Sequence, residues 1–188
     1  MKYFFLTLIA AAAVFVVVAL RRVLRTYLKF RGKMLVSCPE THNPAAVRVA
    51  AARAAIESTV ENAQLRLSEC SRWPERQACG QECLRQIEVA PKACLVWTII
   101  NRWYQGQVCV YCHKPFEEIH WHDHPPALLD RDGKTLQWNE VPTEKLQDVL
   151  GTHRPVCWNC HIVETFRREH LDLVVDRPED SRRLTLYH

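Results

Sequence analysis

The residues whose types and spacing best suit chemistry are cysteines in two C-x-x-C pairs. Cys109 and Cys112 form the first pair, and Cys157 and Cys160 form the second. One C-x-x-C loop brings two thiolates within reach of one ion, and two such loops supply the four sulfurs that tetrahedral zinc prefers. The spacing therefore predicts a zinc site ligated by these four cysteines.

A histidine follows each pair directly, and it opens a second interpretation. His113 follows Cys112, and His161 follows Cys160. In this respect the chain resembles c-type cytochromes, in which C-x-x-C-H is the haem attachment motif. The resemblance implies a covalent haem at each motif and a role in electron transfer. The sixth iron ligands would then come from other histidines: His120, His122, His124, His153 or His170.

A second group of cysteines precedes these pairs and predicts another four-sulfur site: Cys38, Cys70, Cys79 and Cys83. Two members are four residues apart, which places both thiols on one face of a helix or around one tight turn. Zinc is the expected metal here too, and an iron–sulfur cluster is the alternative, although the spacing lacks the closeness usual in ferredoxins. Cys94 lies in an apolar run, Ala93–Ile100, that predicts one buried helix, and we expect this cysteine in the core.

Short strands and helices are predicted around the two C-x-x-C pairs. Ala127–Leu129 and Thr135–Trp138 flank a turn that is typical of a β-hairpin. A short helix is predicted from Pro142 to Gly151, where glycine favours a helix end. The last helix covers Trp158–His170 and carries three apolar residues on one stripe: Ile162, Val163 and Phe166.

A C-x-x-C turn, a hairpin and a helix that carries the second C-x-x-C in its first turn resemble the treble-clef zinc fold. Together with the stretch Asp123-His124-Pro125-Pro126 and His161, this order is more narrowly similar to the HNH nucleases, which use that fold. The resemblance implies that His124 is the general base and that His161 binds a catalytic metal. His120, His122 and His124 also alternate, and a strand would point all three to one side, where they could hold a second metal or form a polar face.

The N-terminal stretch predicts a membrane anchor. Tyr3–Leu20 is an uncharged apolar run of about 18 residues, close to the length that spans a bilayer. The run ends in Arg21-Arg22 without a signal-peptide cleavage site, which favours an uncleaved anchor. Lys2 precedes the run, and six basic residues follow it: Arg21, Arg22, Arg25, Lys29, Arg31 and Lys33. The positive-inside rule therefore places the C-terminal part in the cytoplasm, where thiols stay reduced and available to zinc.

Charge argues against nucleic acid as a partner. The first 33 residues carry seven basic and no acidic side chains, so the net charge of +4 leaves −3 on the remainder. A nucleic-acid binder normally presents a basic face to phosphates. We therefore expect a lipid bilayer and a protein as partners. The sequence favours a protein without enzymatic activity over an enzyme.

The predicted architecture is an α+β protein with a transmembrane helix and a small metal-stabilised, treble-clef-like domain. Residues 1–33 form the anchor and its basic flank, and residues 34–105 form a first cysteine-containing subdomain. Residues 106–176 form the treble-clef-like subdomain, and residues 177–188 form a polar tail. The predicted function is that of a membrane-anchored zinc-binding module, with a dihaem cytochrome and an HNH-like nuclease as alternatives.

Overall fold

A computed structural model describes most of the chain, namely residues 2–59, 64–73, 75, 78–170 and 173. The chain divides into two compact units, one of Met1–Gln105 with Val141–Leu150 and one of Gly106–Glu140 with Gly151–His188. Each unit combines helices with a three-stranded antiparallel sheet, which confirms the mixed helix-and-sheet class. The predicted subdomain boundaries stay predictions, and the predicted tail lies outside the described residues.

The first unit begins with one long helix, α1 (Lys2–Phe30). Its stretch Tyr3–Phe30 is long and apolar enough to cross a membrane. A helix of 29 residues is about 43 Å long, which exceeds the roughly 30 Å of a hydrocarbon core. The C-terminal turns of α1 reach the folded part of the unit, where Phe30 is only 6% exposed and belongs to the core.

Besides α1 and the segment Val141–Leu150, the described part of the first unit consists of a sheet and four short helices. Strand β1 (Lys33–Ser37) pairs with β2 (Pro44–Val49), and β2 pairs with β3 (Leu67–Cys70). The helices are α2 (Ala51–Glu57), α3 (Leu84–Val89), α4 (Pro91–Cys94) and α5 (Val96–Tyr104). Apolar residues from the sheet and the helices form one core, among them Met34, Val36, Val47, Ala54 and Ile87.

The predicted single helix over Ala93–Ile100 is wrong. Leu95 adopts an extended backbone, with φ −65° and ψ 124°, and separates α4 from α5. The physical reason is that Leu95 forms a β-bridge with Met34 instead of continuing the helix. Cys94 is buried in the core as predicted, whereas Trp97 is half exposed.

The second unit is built on a small sheet with strand order β5-β4-β6. Its strands are β4 (Ala127–Leu129), β5 (Thr135–Gln137) and β6 (Arg154–Val156). The predicted hairpin is confirmed, since β4 pairs antiparallel with β5, and Gly133 supplies the left-handed residue of its turn with a φ of 77°. A 3-10 turn covers Trp138–Glu140. The next 3-10 turn (Thr143–Lys145) lies in the first unit, and helix α6 (Leu146–Thr152) begins there and ends in the second unit. Helix α7 (Trp158–Glu169) follows β6.

Two local predictions in this region are wrong, and the apolar stripe on α7 is exposed. Gly151 lies inside α6 and does not end it. Residues 119–124 do not alternate as a strand, because the chain turns there and the His124 N–H donates to the His120 carbonyl at 2.8 Å. The apolar stripe on α7 does not face a core, since all three of its members are exposed: Ile162, Val163 and Phe166.

Candidate metal centre

A tight turn positions the first cysteine pair. The Cys109 N–H donates to the Lys114 carbonyl at 2.9 Å, and the His113 N–H donates to the Cys109 carbonyl at 2.9 Å. His113 ends the turn with a φ of 56°, in the left-handed region that few residues with side chains adopt. Within this turn Cys109 is buried and Cys112 is exposed.

The start of α7 positions the second pair. Cys157 is the N-cap residue, with an extended backbone, and Cys160 lies in the first turn. The positive end of a helix dipole stabilises thiolates at such positions. The Cys157 N–H also donates to the sulfur of Cys109 at 3.3 Å, so the second pair is hydrogen-bonded directly to the first.

The four sulfurs converge on one point. All four lie within 4.8 Å of one another: Cys109, Cys112, Cys157 and Cys160. The Sγ atoms of Cys112 and Cys157 are 3.7 Å apart. Zinc–sulfur bonds of about 2.3 Å in a tetrahedron separate the ligand sulfurs by about 3.8 Å, whereas a disulfide requires about 2.05 Å. The spacing fits four thiolates around one ion, and all four cysteines are free.

Hydrogen bonds distribute protons unequally among these thiols. Burial raises the pKa of Cys109, but backbone N–H groups, those of Cys112 and Cys157 foremost, outweigh it and lower this pKa to about 7. Burial and the neighbouring sulfurs raise the pKa of Cys160, and burial raises that of Cys157. A divalent cation at the centre of the group would stabilise all four thiolates together.

His161, the residue after the second pair, has a defined place of its own. It is 8% exposed, and its Nδ1 lies 2.9 Å from the Thr135 Oγ1 on β5. Its ring also lies against Trp158, with the ring centroids 5.9 Å apart. Burial lowers the pKa of His161, so this imidazole is neutral at neutral pH.

The other histidines named by the sequence do not share one environment. The His124 ring contacts Trp158 at a centroid distance of 6.0 Å, and both line an open cavity of about 600 Å³ together with His120. His113 and His122 are exposed. His153 contacts the Thr152 hydroxyl, and His170 stacks on Phe166 at the end of α7.

The cysteines of the second predicted site surround a single cavity of about 120 Å³ in the first unit: Cys38, Cys70, Cys79 and Cys83. Within the described part of the chain, only the Cys109 group brings its sulfurs within 4.8 Å of one another. The sulfurs of the second predicted site thus surround a space instead of converging on one point. Metal binding by these four residues stays a prediction.

No known protein family, curated protein or solved structure matches this chain.

Sequence reasoning missed the side chains that fix the cysteine-bearing segments. Thr135 holds His161, and Gln81 and Gln86 bind backbone groups of neighbouring strands. Each of these contacts joins residues at least 14 positions apart. No local pattern in the sequence marks these contacts, because threonine is common in strands and glutamine is common in and near helices. The one signal in the sequence was the position of Gln81 between Cys79 and Cys83.

Proposed function

We propose that this chain is a membrane-anchored zinc protein whose C-terminal unit is folded around one ion and serves as a binding or assembly module. The observation that carries the proposal is the convergence of four cysteine sulfurs within 4.8 Å. Four sulfurs complete the tetrahedral shell of zinc and leave no position open for a substrate, which is typical of structural sites. Binding free energy then becomes folding free energy for the short elements around the ion.

The distances between pairs favour one ion over two haems. In a c-type cytochrome each C-x-x-C-H motif binds its own haem. Here Cys112 and Cys157 belong to different motifs, yet their sulfurs are 3.7 Å apart. Two porphyrins attached at one point would overlap.

A treble-clef fold remains part of the proposal, supported by the order of the elements. The turn at Cys109, the β4–β5 hairpin and α7 with Cys160 in its first turn follow the order that the resemblance implies. One observation favours the nuclease alternative, since His124 and His161 both contact Trp158. That alternative requires metal-dependent cleavage of DNA by the purified protein, which His124→Ala would abolish. We expect no such cleavage.

The packing of α1 supports an anchor that is retained in the folded protein. Phe30, its last residue, is buried in the core of the first unit, so the helix is part of the folded unit. A cleaved leader would instead be separable from the domain. The basic residues that follow the apolar run support a cytoplasmic location of the C-terminal unit. The acidic remainder of the chain favours a protein over a nucleic acid as its partner.

The test is metal analysis of the full-length protein in detergent, purified from a host that also matures c-type cytochromes. We expect a colourless protein, and Cys160→Ser should lose one equivalent of zinc per chain together with the hydrogen-exchange protection of β4 and β6. Cys94→Ala is the matched control, since this buried cysteine is not a ligand and its loss should leave the zinc content unchanged. A covalent haem spectrum, or full zinc and protection in Cys160→Ser, would refute the proposal.

A further inference from the structure

The turn that carries Cys38 repeats the geometry of the turn that carries Cys109. The Cys38 N–H donates to the Asn43 carbonyl five residues on at 2.9 Å, and the His42 N–H donates to the Cys38 carbonyl at 2.8 Å. His42 has a φ of 55°. The Cys109 turn has the same two hydrogen bonds at the same offsets and a left-handed histidine at the same place. Two unrelated stretches of sequence thus present a cysteine in one backbone form.

Three further cysteines face the cavity beside this turn. Cys70 ends β3, and Cys83 is the N-cap residue of α3. Cys79 lies four residues before Cys83, and the connecting loop bends through Gln81, which has a φ of 55°. With Cys38 these residues line a space of about 120 Å³. The four cysteines belong to the wall of this space, so a small ion inside it would have sulfur ligands on several sides.

Two glutamine side chains tie together the three segments that carry these cysteines. Gln86 on α3 accepts from the Ser37 N–H at 3.1 Å and donates to the Ser37 carbonyl at 2.6 Å. Ser37 immediately precedes Cys38. Gln81 accepts from the Leu67 N–H at 3.0 Å, which fixes the Cys79–Cys83 loop against β3. The cysteines are therefore held around the cavity by contacts that do not involve their own sulfurs.

We propose that Cys38, Cys70, Cys79 and Cys83 form a second metal centre, which takes a thiophilic divalent cation, zinc. This second centre is separate from the C-terminal zinc site and lies in the other unit of the chain. The quartet is more open than the C-terminal one, and its four thiols draw together around the ion when it binds. The ion then joins the β1–β2 hairpin, β3 and α3, which follow directly on the anchor helix.

Zinc stoichiometry in three variants of the full-length protein tests the proposal. We expect about two zinc ions in the parent protein, about one in Cys83→Ser, about one in Cys160→Ser and none in the double variant. Cys94→Ala again serves as the control, because Cys94 lies in the same core but does not line the cavity, and it should retain both ions. The two sites fail independently: loss of zinc in Cys160→Ser but not in Cys83→Ser refutes only the second centre.

A measurement on the parent protein covers the case in which Cys83→Ser does not fold. Alkylation of the native protein, read for each cysteine by mass spectrometry, should find the four cysteines protected when zinc is bound. A chelator should make them reactive together, while the reactivity of Cys94 stays low. Reactivity that does not depend on zinc, disulfides among the four residues, or iron with sulfide in place of zinc would overturn the proposal.

Discussion

Thr135 determines what the histidine after the second cysteine pair can do. Thr135 is 5% exposed. Its hydroxyl oxygen lies 2.9 Å from His161 Nδ1 and 3.4 Å from the Thr165 Oγ1. The bond links β5 to the first turn of α7, one residue beyond Cys160. A buried imidazole nitrogen that loses its partner costs free energy, because water cannot replace the bond. His161 therefore supports the position of the helix that carries two of the four sulfurs.

Thr135→Val should weaken this attachment without removing the metal. The substitution keeps the shape of the side chain and leaves His161 Nδ1 without its partner, so the free energy of opening of α7 should fall by about 1 to 3 kcal/mol. Hydrogen exchange of α7 amides, followed by mass spectrometry, measures this value. Thr165→Val is the control, since it leaves the contact between Thr135 and His161 in place. Equal losses in the two variants would contradict the role given to Thr135.

At the scale of elements, α1 combines an exposed apolar stretch with an end that belongs to the core of the first unit. Phe30 is buried with Met34 of β1 and Ala54 of α2, whereas Phe15 in the middle of the same helix is 74% exposed. The helix thus exposes apolar side chains along its first two thirds and contributes to a protein core at its end. The chain has no flexible linker between the two, since β1 starts three residues after Phe30.

Phe30→Ala should destabilise the first unit, and Phe15→Ala should not. Removing a buried phenylalanine ring from a core costs about 3 to 5 kcal/mol, while an exposed site changes stability by about 0.5 kcal/mol or less. The exchange protection of β1 and β2 amides in detergent-solubilised protein reports the difference. Similar protection in both variants would show that the Phe30 ring does not stabilise the core of the first unit.

The elements that sequence predicted well are those fixed by short-range chemistry. The β4–β5 hairpin follows from Gly133 and the residues around it, and the C-x-x-C pairs carry their own ligand spacing. The predictions failed where a distant residue decides the local structure. The bridge of Leu95 to Met34 breaks a helix that the apolar pattern favours, and the run from His120 to His124 turns instead of extending. The cavity around Cys83 also depends on strands that no local pattern places together.

At the scale of the whole molecule, charge and thiol chemistry predict the same orientation for the proposed membrane protein. All nine cysteines are free, and four thiolates can hold zinc only where they stay reduced. The basic residues between the apolar run and the first strand predict that this side is the cytoplasm. The metal content and the topology are therefore linked, because an outward-facing domain would be exposed to oxidation.

Reporter fusions at the C-terminus of the full-length chain test this link. We expect a fluorescent protein fused there to be bright and alkaline phosphatase to be inactive, because that phosphatase needs disulfides that form outside the cytoplasm. Replacing Arg21, Arg22 and Arg25 by Gln removes half of the six basic residues that follow the span, so part of the population should invert and phosphatase activity should rise. Arg48→Gln in β2 removes one positive charge away from the apolar run. It is the control and should leave the orientation unchanged. Full phosphatase activity in the unmodified chain would place the cysteines outside, where disulfides compete with zinc for the same sulfurs.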